Sequence, residues 1–152
     1  MNYPSIIFKI PILCLLALLI ATGCSESQDT AAIKLGGQTY SVEVAASNEA
    51  RKKGLMYRKN LDKNKGMLFV YPEEKQRHFY MKNTFIPLDI AFINKDKTII
   101  DIQQMKPLDE TIIRSKQKAQ YALETNRGFF NRIGVSVGDR ISFVGPAPDA
   151  RQ

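Results

Sequence analysis

Lys82, Asn83, Thr84 and Asp89 stand close together in the stretch Phe-Tyr-Met-Lys-Asn-Thr-Phe-Ile-Pro-Leu-Asp-Ile, residues 79–90. An apolar run is interrupted there by an ammonium, an amide and a hydroxyl, then resumes and carries a lone carboxylate. A lysine offers three donors, an asparagine both donors and an acceptor, and an aspartate only acceptors. Such a set can hold a small polar or anionic ligand. It can equally be a structural network, with Asp89 paired to Lys82 and Asn83 and Thr84 bonded to nearby backbone at a bend. Arg58 is a further candidate, because a guanidinium clamps a carboxylate or phosphate through two parallel bonds. Its structural alternative is a salt bridge to Glu124, the acid that ends the run Tyr121-Ala122-Leu123-Glu124. Asp89 and Glu124 together supply the two carboxyls that a glycoside-cleaving site needs, provided they face one cleft.

Other chemistries find little support. His78 is the sole histidine, so a Ser-His-Asp triad would have to use it, and no Gly-x-Ser-x-Gly elbow is present. One histidine without a cysteine in the mature part does not make a zinc site. Met56, Met67, Met81 and Met105 with His78 are conceivable soft ligands for Cu(I), but methionine at strand positions is ordinarily core filler. The expectation is no metal and no cofactor, and a binding domain rather than an enzyme.

The elements that must position these residues follow from the ends inward. Lys9 precedes an apolar run from Ile10 to Ala21, which has the length of a signal-peptide core and falls short of the roughly twenty residues of a spanning helix. The run closes on Ile20-Ala21-Thr22-Gly23-Cys24. Small residues before a cysteine resemble the lipobox of bacterial lipoproteins, which implies cleavage after residue 23 and lipidation of Cys24. Ser25 rather than an aspartate follows, which in that class of signals implies the outer membrane. The expected organisation is therefore a leader over 1–23, a lipidated Cys24 with a polar tether over 24–32, a domain over 33–145 and a frayed end over 146–152. The other cysteine, Cys14, lies in the leader, so a disulfide cannot stabilise the domain and a hydrophobic core must.

The whole chain carries a formal charge of +7, and the leader holds one lysine and no acid. An exported basic protein would not ordinarily meet nucleic acid. Expected partners are the membrane through the N-terminal lipid and a small polar or anionic ligand or an envelope protein, with anionic lipid and cell-wall polymer as natural counter-surfaces.

Within the domain, Ile33-Lys34-Leu35 and Tyr40–Val44 flank Gly36-Gly37 as a hairpin. Ser47 caps a short helix that Gly54 ends. Met67–Val70 is an apolar strand broken at Tyr71-Pro72. His78–Met81, Leu88–Ile93, Thr98–Ile102, Gln120–Glu124 and Ile141–Val144 read as further strands, with Met105–Ser115 as a loop and a second short helix after Gly128. Seven or eight short strands with regular turn signals predict a mostly β domain, an antiparallel barrel or sandwich with two short helices.

Gly54-Leu55-Met56-Tyr57-Arg58, Gly66-Met67-Leu68-Phe69, the block from Phe79 to Ile90, Tyr121–Glu124 and Gly134–Asp139 together resemble the bacterial and archaeal family called domain of unknown function 192. The resemblance spans roughly Ile33 to Val144. It implies a compact barrel-like β fold, commonly exported, and no established reaction. Tyr80 stands where the family often has tryptophan.

Overall fold

The computed structural model describes residues 29–150; the leader, Cys24 and most of the tether lie outside the described residues. The strands are β1 (Thr30–Leu35), β2 (Gln38–Ala45), β3 (Gly66–Lys75), β4 (His78–Phe79), β5 (Leu88–Ile93), β6 (Ile99–Met105), β7 (Ile113–Arg114), β8 (Ala119–Asn126) and β9 (Ser142–Val144), with helices α1 (Asn48–Lys53) and α2 (Phe129–Arg132). Seven strands form one sheet in the order β6-β5-β8-β3-β2-β1-β9, and β4 pairs with β7 in a small second sheet.

The domain is mostly β with two short helices, as expected, but its sheet is mixed and does not close. One strand pair departs from the antiparallel pattern: β2 and β3 run parallel, with Val44 beside Leu68. The crossover between them carries α1, and a parallel pair requires such a crossover. The two edges of the sheet approach at one isolated bridge, Thr98 to Arg140.

Both faces of the sheet are covered. Ile33, Val42, Leu68, Ala91 and Leu123 pack on one face with Phe129 and Phe130 of α2. Ala45, Phe69, Ile90, Phe92 and Ala122 pack on the other with Leu55, Phe79, Met81 and Ile86. Central strands enclosed on both sides read as unbroken apolar runs rather than alternating ones, which is why every residue of β5 is buried. Met67, Met81 and Met105 are fillers of the second cluster.

Local signals placed most elements. The Ser47 hydroxyl accepts from the Ala50 amide and caps α1, and the Gly54 amide closes its end on the Ala50 carbonyl. Four segments differ from expectation. The first strand begins at Thr30, three residues ahead of the predicted domain start. β3 continues through Pro72 to Lys75, because its register against β8 shifts between Val70 and Lys75; proline is tolerated where the ladder is already interrupted. The predicted buried strand over His78–Met81 is a two-residue strand with Tyr80 exposed. The C-terminal segment folds back, and Ala150 packs on the first cluster.

Gly66 shows how tightly the central pair is set. A Cβ there would lie 2.6 Å from the Glu124 carbonyl oxygen and 3.0 Å from Thr125 Cγ2. Backbone cannot yield as a side-chain tip can, so Gly66→Ala is expected to destabilise the fold by about 1–3 kcal/mol, read as a lower urea midpoint at unchanged slope.

Candidate functional site

The polar cluster singled out in the sequence is first of all a clamp. The Thr84 amide donates to the Met81 carbonyl at 3.1 Å, making a turn, and the Thr84 carbonyl accepts from the Leu108 amide at 3.0 Å. The Met81 amide donates to the Asp109 carbonyl at 2.9 Å, and the Tyr57 amide to the Asn83 carbonyl at 2.8 Å. Asn83 returns the contact through its side chain, Nδ2 donating to the Tyr57 hydroxyl at 2.8 Å. Thr84 Oγ1 donates to the Lys82 carbonyl at 3.2 Å. Three loops are thus tied at one point. Tyr57, Asn83 and Leu108, one from each loop, have φ of 64°, 53° and 60°. Asparagine adopts that left-handed region readily, whereas tyrosine and leucine do so at a cost.

Asp89 is not part of this clamp. Its Oδ2 accepts from the Gly128 amide at 2.7 Å, which fastens the turn before α2, while Oδ1 is buried without a hydrogen-bond partner. Burial raises the Asp89 pKa, opposed by the Gly128 N–H and the Arg127 charge. Lys82 is exposed and is not the group that balances Asp89.

The two candidate carboxyls do not share a cleft. Asp89 stands opposite Thr125 on the neighbouring strand, and Ile90 stands opposite Glu124. Side chains alternate faces along a strand, so Asp89 points to the α2 side and Glu124 to the α1 side. The paired acid and base of a glycosidase must flank one bond, and a sheet separates these two. Arg58 does not reach Glu124 either. It pairs with Glu43, Nη1 to Oε1 at 2.6 Å and Nη2 to Oε2 at 2.5 Å. That hydrogen-bonded pairing, more than the charge alone, raises the Arg58 pKa against the opposing effect of burial.

Glu124 forms the heart of a different site. A cavity of about 280 Å³ opens between α1 and the second cluster, lined by Leu55, Phe69 and Phe79, by the polar groups of Tyr71, His78 and Thr84, and by Glu124. Glu124 is 5% exposed. Burial alone pushes its pKa from 4.5 to about 8, and no described residue gives it a hydrogen bond or a counter-charge. Near neutral pH the carboxyl is therefore largely protonated, with one O–H to donate and a carbonyl oxygen to accept. Tyr71 beside it is also held neutral. Burial lifts its pKa to about 12 against the charges of Arg77 and Arg51, with Glu124 adding a smaller push upward. The Arg77 and Arg51 guanidiniums lie 3.8 and 5.2 Å from the Tyr71 ring centre, and Arg51 also donates to the Val70 carbonyl at 2.9 Å. Lys52 and Lys53 stand at the mouth.

Of the expected site residues, only Thr84 and Glu124 reach this cavity. Lys82 and Asn83 lie on the adjoining turn, while Asp89 and Arg58 are engaged elsewhere. Sequence reasoning missed Tyr71 and Arg51. Tyr71 was hidden by reading Pro72 as a strand end, and Arg51 lies on a short helix in which no residue was singled out. The sequence signal at Glu124 is a carboxyl near the end of an apolar strand. Among the described residues no three His, Asp, Glu or Cys side chains converge as a metal set would.

The fold and site define a small mixed-sheet domain with a largely buried glutamate lining a lateral cavity. The chain belongs to the family DUF192, described as "Uncharacterized ACR, COG1430", whose profile matches residues 31–143. It is 29% identical over 111 residues to the UPF0127 protein PF1050 of Pyrococcus furiosus, covering 70% of this chain and 91% of that one. A crystal structure from Sinorhizobium meliloti 1021, described as a "putative transcription regulator", superposes with a TM-score of 0.73 at 38% identity, over 79% of this chain and 98% of that one. A protein of unknown function from Novosphingobium aromaticivorans superposes with a TM-score of 0.68 at 30% identity, over 76% and 84% of the two chains. Four of the segments that carry the family resemblance contribute lining to the cavity, through Leu55, Phe69, Phe79 and Glu124.

Glu124 makes stability depend on pH. Its folded pKa of about 8 exceeds the ordinary 4.5, so the folded state binds the extra proton. The stability this confers is full at pH values below the ordinary carboxyl range and is lost as pH rises toward 8. Wild-type stability measured against a Glu124→Gln variant should therefore fall across that window, at up to about 1.4 kcal/mol per pH unit. Urea titrations at several pH values read the difference; parallel profiles for the two proteins would show that Glu124 titrates normally.

Proposed function

We propose that this chain is an exported, lipid-anchored envelope protein whose domain binds a small ligand in the Glu124 cavity without converting it. The leader and Cys24 support the address. The observation that carries the binding site is the Glu124 carboxyl, buried against a cavity with no protein partner. Glu124 lines the cavity, so a ligand that enters can form the hydrogen bond that no described residue provides. At about 280 Å³ the space lies at the lower end of ligand pockets, so the ligand is compact. Phe69, Phe79 and Leu55 favour an apolar or aromatic body, the protonated Glu124 an oxygen acceptor, and Lys52 and Lys53 an anionic end. Aromatic and branched-chain carboxylates fit this description. Hydrolysis by a carboxyl pair is disfavoured, since Asp89 is on the far side of the sheet. The label on the Sinorhizobium protein would suggest nucleic acid, but helices of six and four residues do not favour a groove-reading element.

The test is a thermal-shift series on the purified full-length protein with aromatic and aliphatic carboxylates, beside Glu124→Leu. Occupation at a hundred times Kd should stabilise the wild type by about 2.7 kcal/mol. The variant should lose that shift while folding at least as stably, because it no longer buries an ionisable group. An equal shift in both would place the ligand elsewhere. Metabolic labelling with an alkyne fatty acid should mark the wild type and spare Cys24→Ser.

A further inference from the structure

Large exposed apolar side chains are concentrated at one place on the described surface. Tyr57, Tyr80, Phe85, Leu108 and Ile112 are five of seven, and the remaining two are Val137 and Val144. All five belong to the three loops that the Asn83 clamp holds together. Tyr57 is bonded to Asn83 and Leu108 to Thr84, the residue before Phe85. His78 pairs with Arg114 and Phe79 with Ile113, which brings together the segments that continue into Tyr80 and Ile112. Hydrogen bonds pin these loops, and Tyr57 and Leu108 have φ of 64° and 60°. A soluble monomer rarely gathers so many apolar side chains without using them.

The charge around the cluster has one dominant sign. Lys52, Lys53, Lys59, Lys82 and Lys106 flank it, against Asp109 and Glu110; Arg58 is neutralised by Glu43. Aromatic and aliphatic side chains ringed by lysine are the composition of surfaces that rest in a bilayer interface.

The position of the chain's entry agrees. Thr30 pairs with Glu43, Glu43 grips Arg58, and Arg58 follows Tyr57 of the cluster. The described domain thus starts at the end of the sheet where the apolar loops lie, since β5 begins and β6 ends there. Four residues lie between Cys24 and Asp29, and the five Cα steps reach at most about 18 Å when fully extended. A lipid at Cys24 would hold this end of the domain against the bilayer and leave the other end away from it.

We infer that the face formed by Tyr57, Tyr80, Phe85, Leu108 and Ile112 docks on a bilayer surface containing anionic phospholipid. The inference rests on the proposed lipid anchor. Docking would turn the mouth of the Glu124 cavity, which Tyr80 and Thr84 border, toward the membrane interface.

The chain contains no tryptophan, so a single introduced indole reports its own surroundings. The full-length protein is reconstituted into vesicles of brominated phosphatidylcholine, with or without added phosphatidylglycerol, with Phe85→Trp at the face and Val137→Trp at the opposite end. Docking predicts quenching several-fold stronger for Phe85→Trp. It also predicts that this excess disappears when Lys82→Glu and Lys106→Glu are added or when the vesicles are purely zwitterionic, since each lysine near such a surface is worth roughly fivefold in affinity. Protein that floats with the vesicles while Phe85→Trp stays as unquenched as Val137→Trp would overturn the docking and leave the anchor standing. Quenching that ignores both the lysines and the lipid charge would overturn the anionic surface as partner. Protein that does not float at all would remove both the anchor and the docking.

Discussion

The two central strands β5 and β8 are enclosed by apolar side chains on both faces, and this double cover governs what every polar group on them can do. A carboxyl on a half-exposed strand would simply turn to water. On these strands it must be hydrogen-bonded, neutralised by a proton or given a cavity. Asp89 takes the first course, through the Gly128 amide. Glu124, one register step away on the adjacent strand and facing the other layer, takes the second and borders the third. The same cover explains the all-buried pattern of β5, the tight seat of Gly66 against β8 and the neutrality of Tyr71.

Function and fold are joined at the clamp around Asn83. The residues most suggestive of ligand chemistry in the sequence are occupied in holding three loops at fixed angles, with Tyr57 and Leu108 in backbone conformations that side-chain-bearing residues avoid. Two of those loops line the Glu124 cavity, through Leu55 and Met56 and through Tyr80 and Thr84, and the three together carry most of the large exposed apolar side chains of the described residues. The cavity and the apolar face are therefore built from neighbouring parts of the same clamped loops.

Much of the domain was legible in the order of its residues. The Gly36-Gly37 hairpin, the Ser47 cap and the Gly54 stop are local signals, satisfied within a few bonds of where they occur. So were the apolar run of β5 and the membership of DUF192. The errors arose where a distant strand overrode a local rule. Pro72 ends a strand in isolation but is accepted in β3, because the ladder to β8 is already shifted there. The run from His78 to Met81 looked buried by composition, yet its strand stops after two residues and leaves Tyr80 in the open.

The sequence by itself determined that residues 25–152 contain no cysteine, that the domain is mostly β, and where most of its strands lie. Each of these depends on short-range chemistry or on counting. Only the tertiary structure decided that β2 and β3 run parallel, that Arg58 belongs to Glu43, and that Asp89 and Glu124 are divided by the sheet. The physical reason is the period of two along a strand: a single step of register sends a side chain to the opposite face, and register is set by partners far away in the chain.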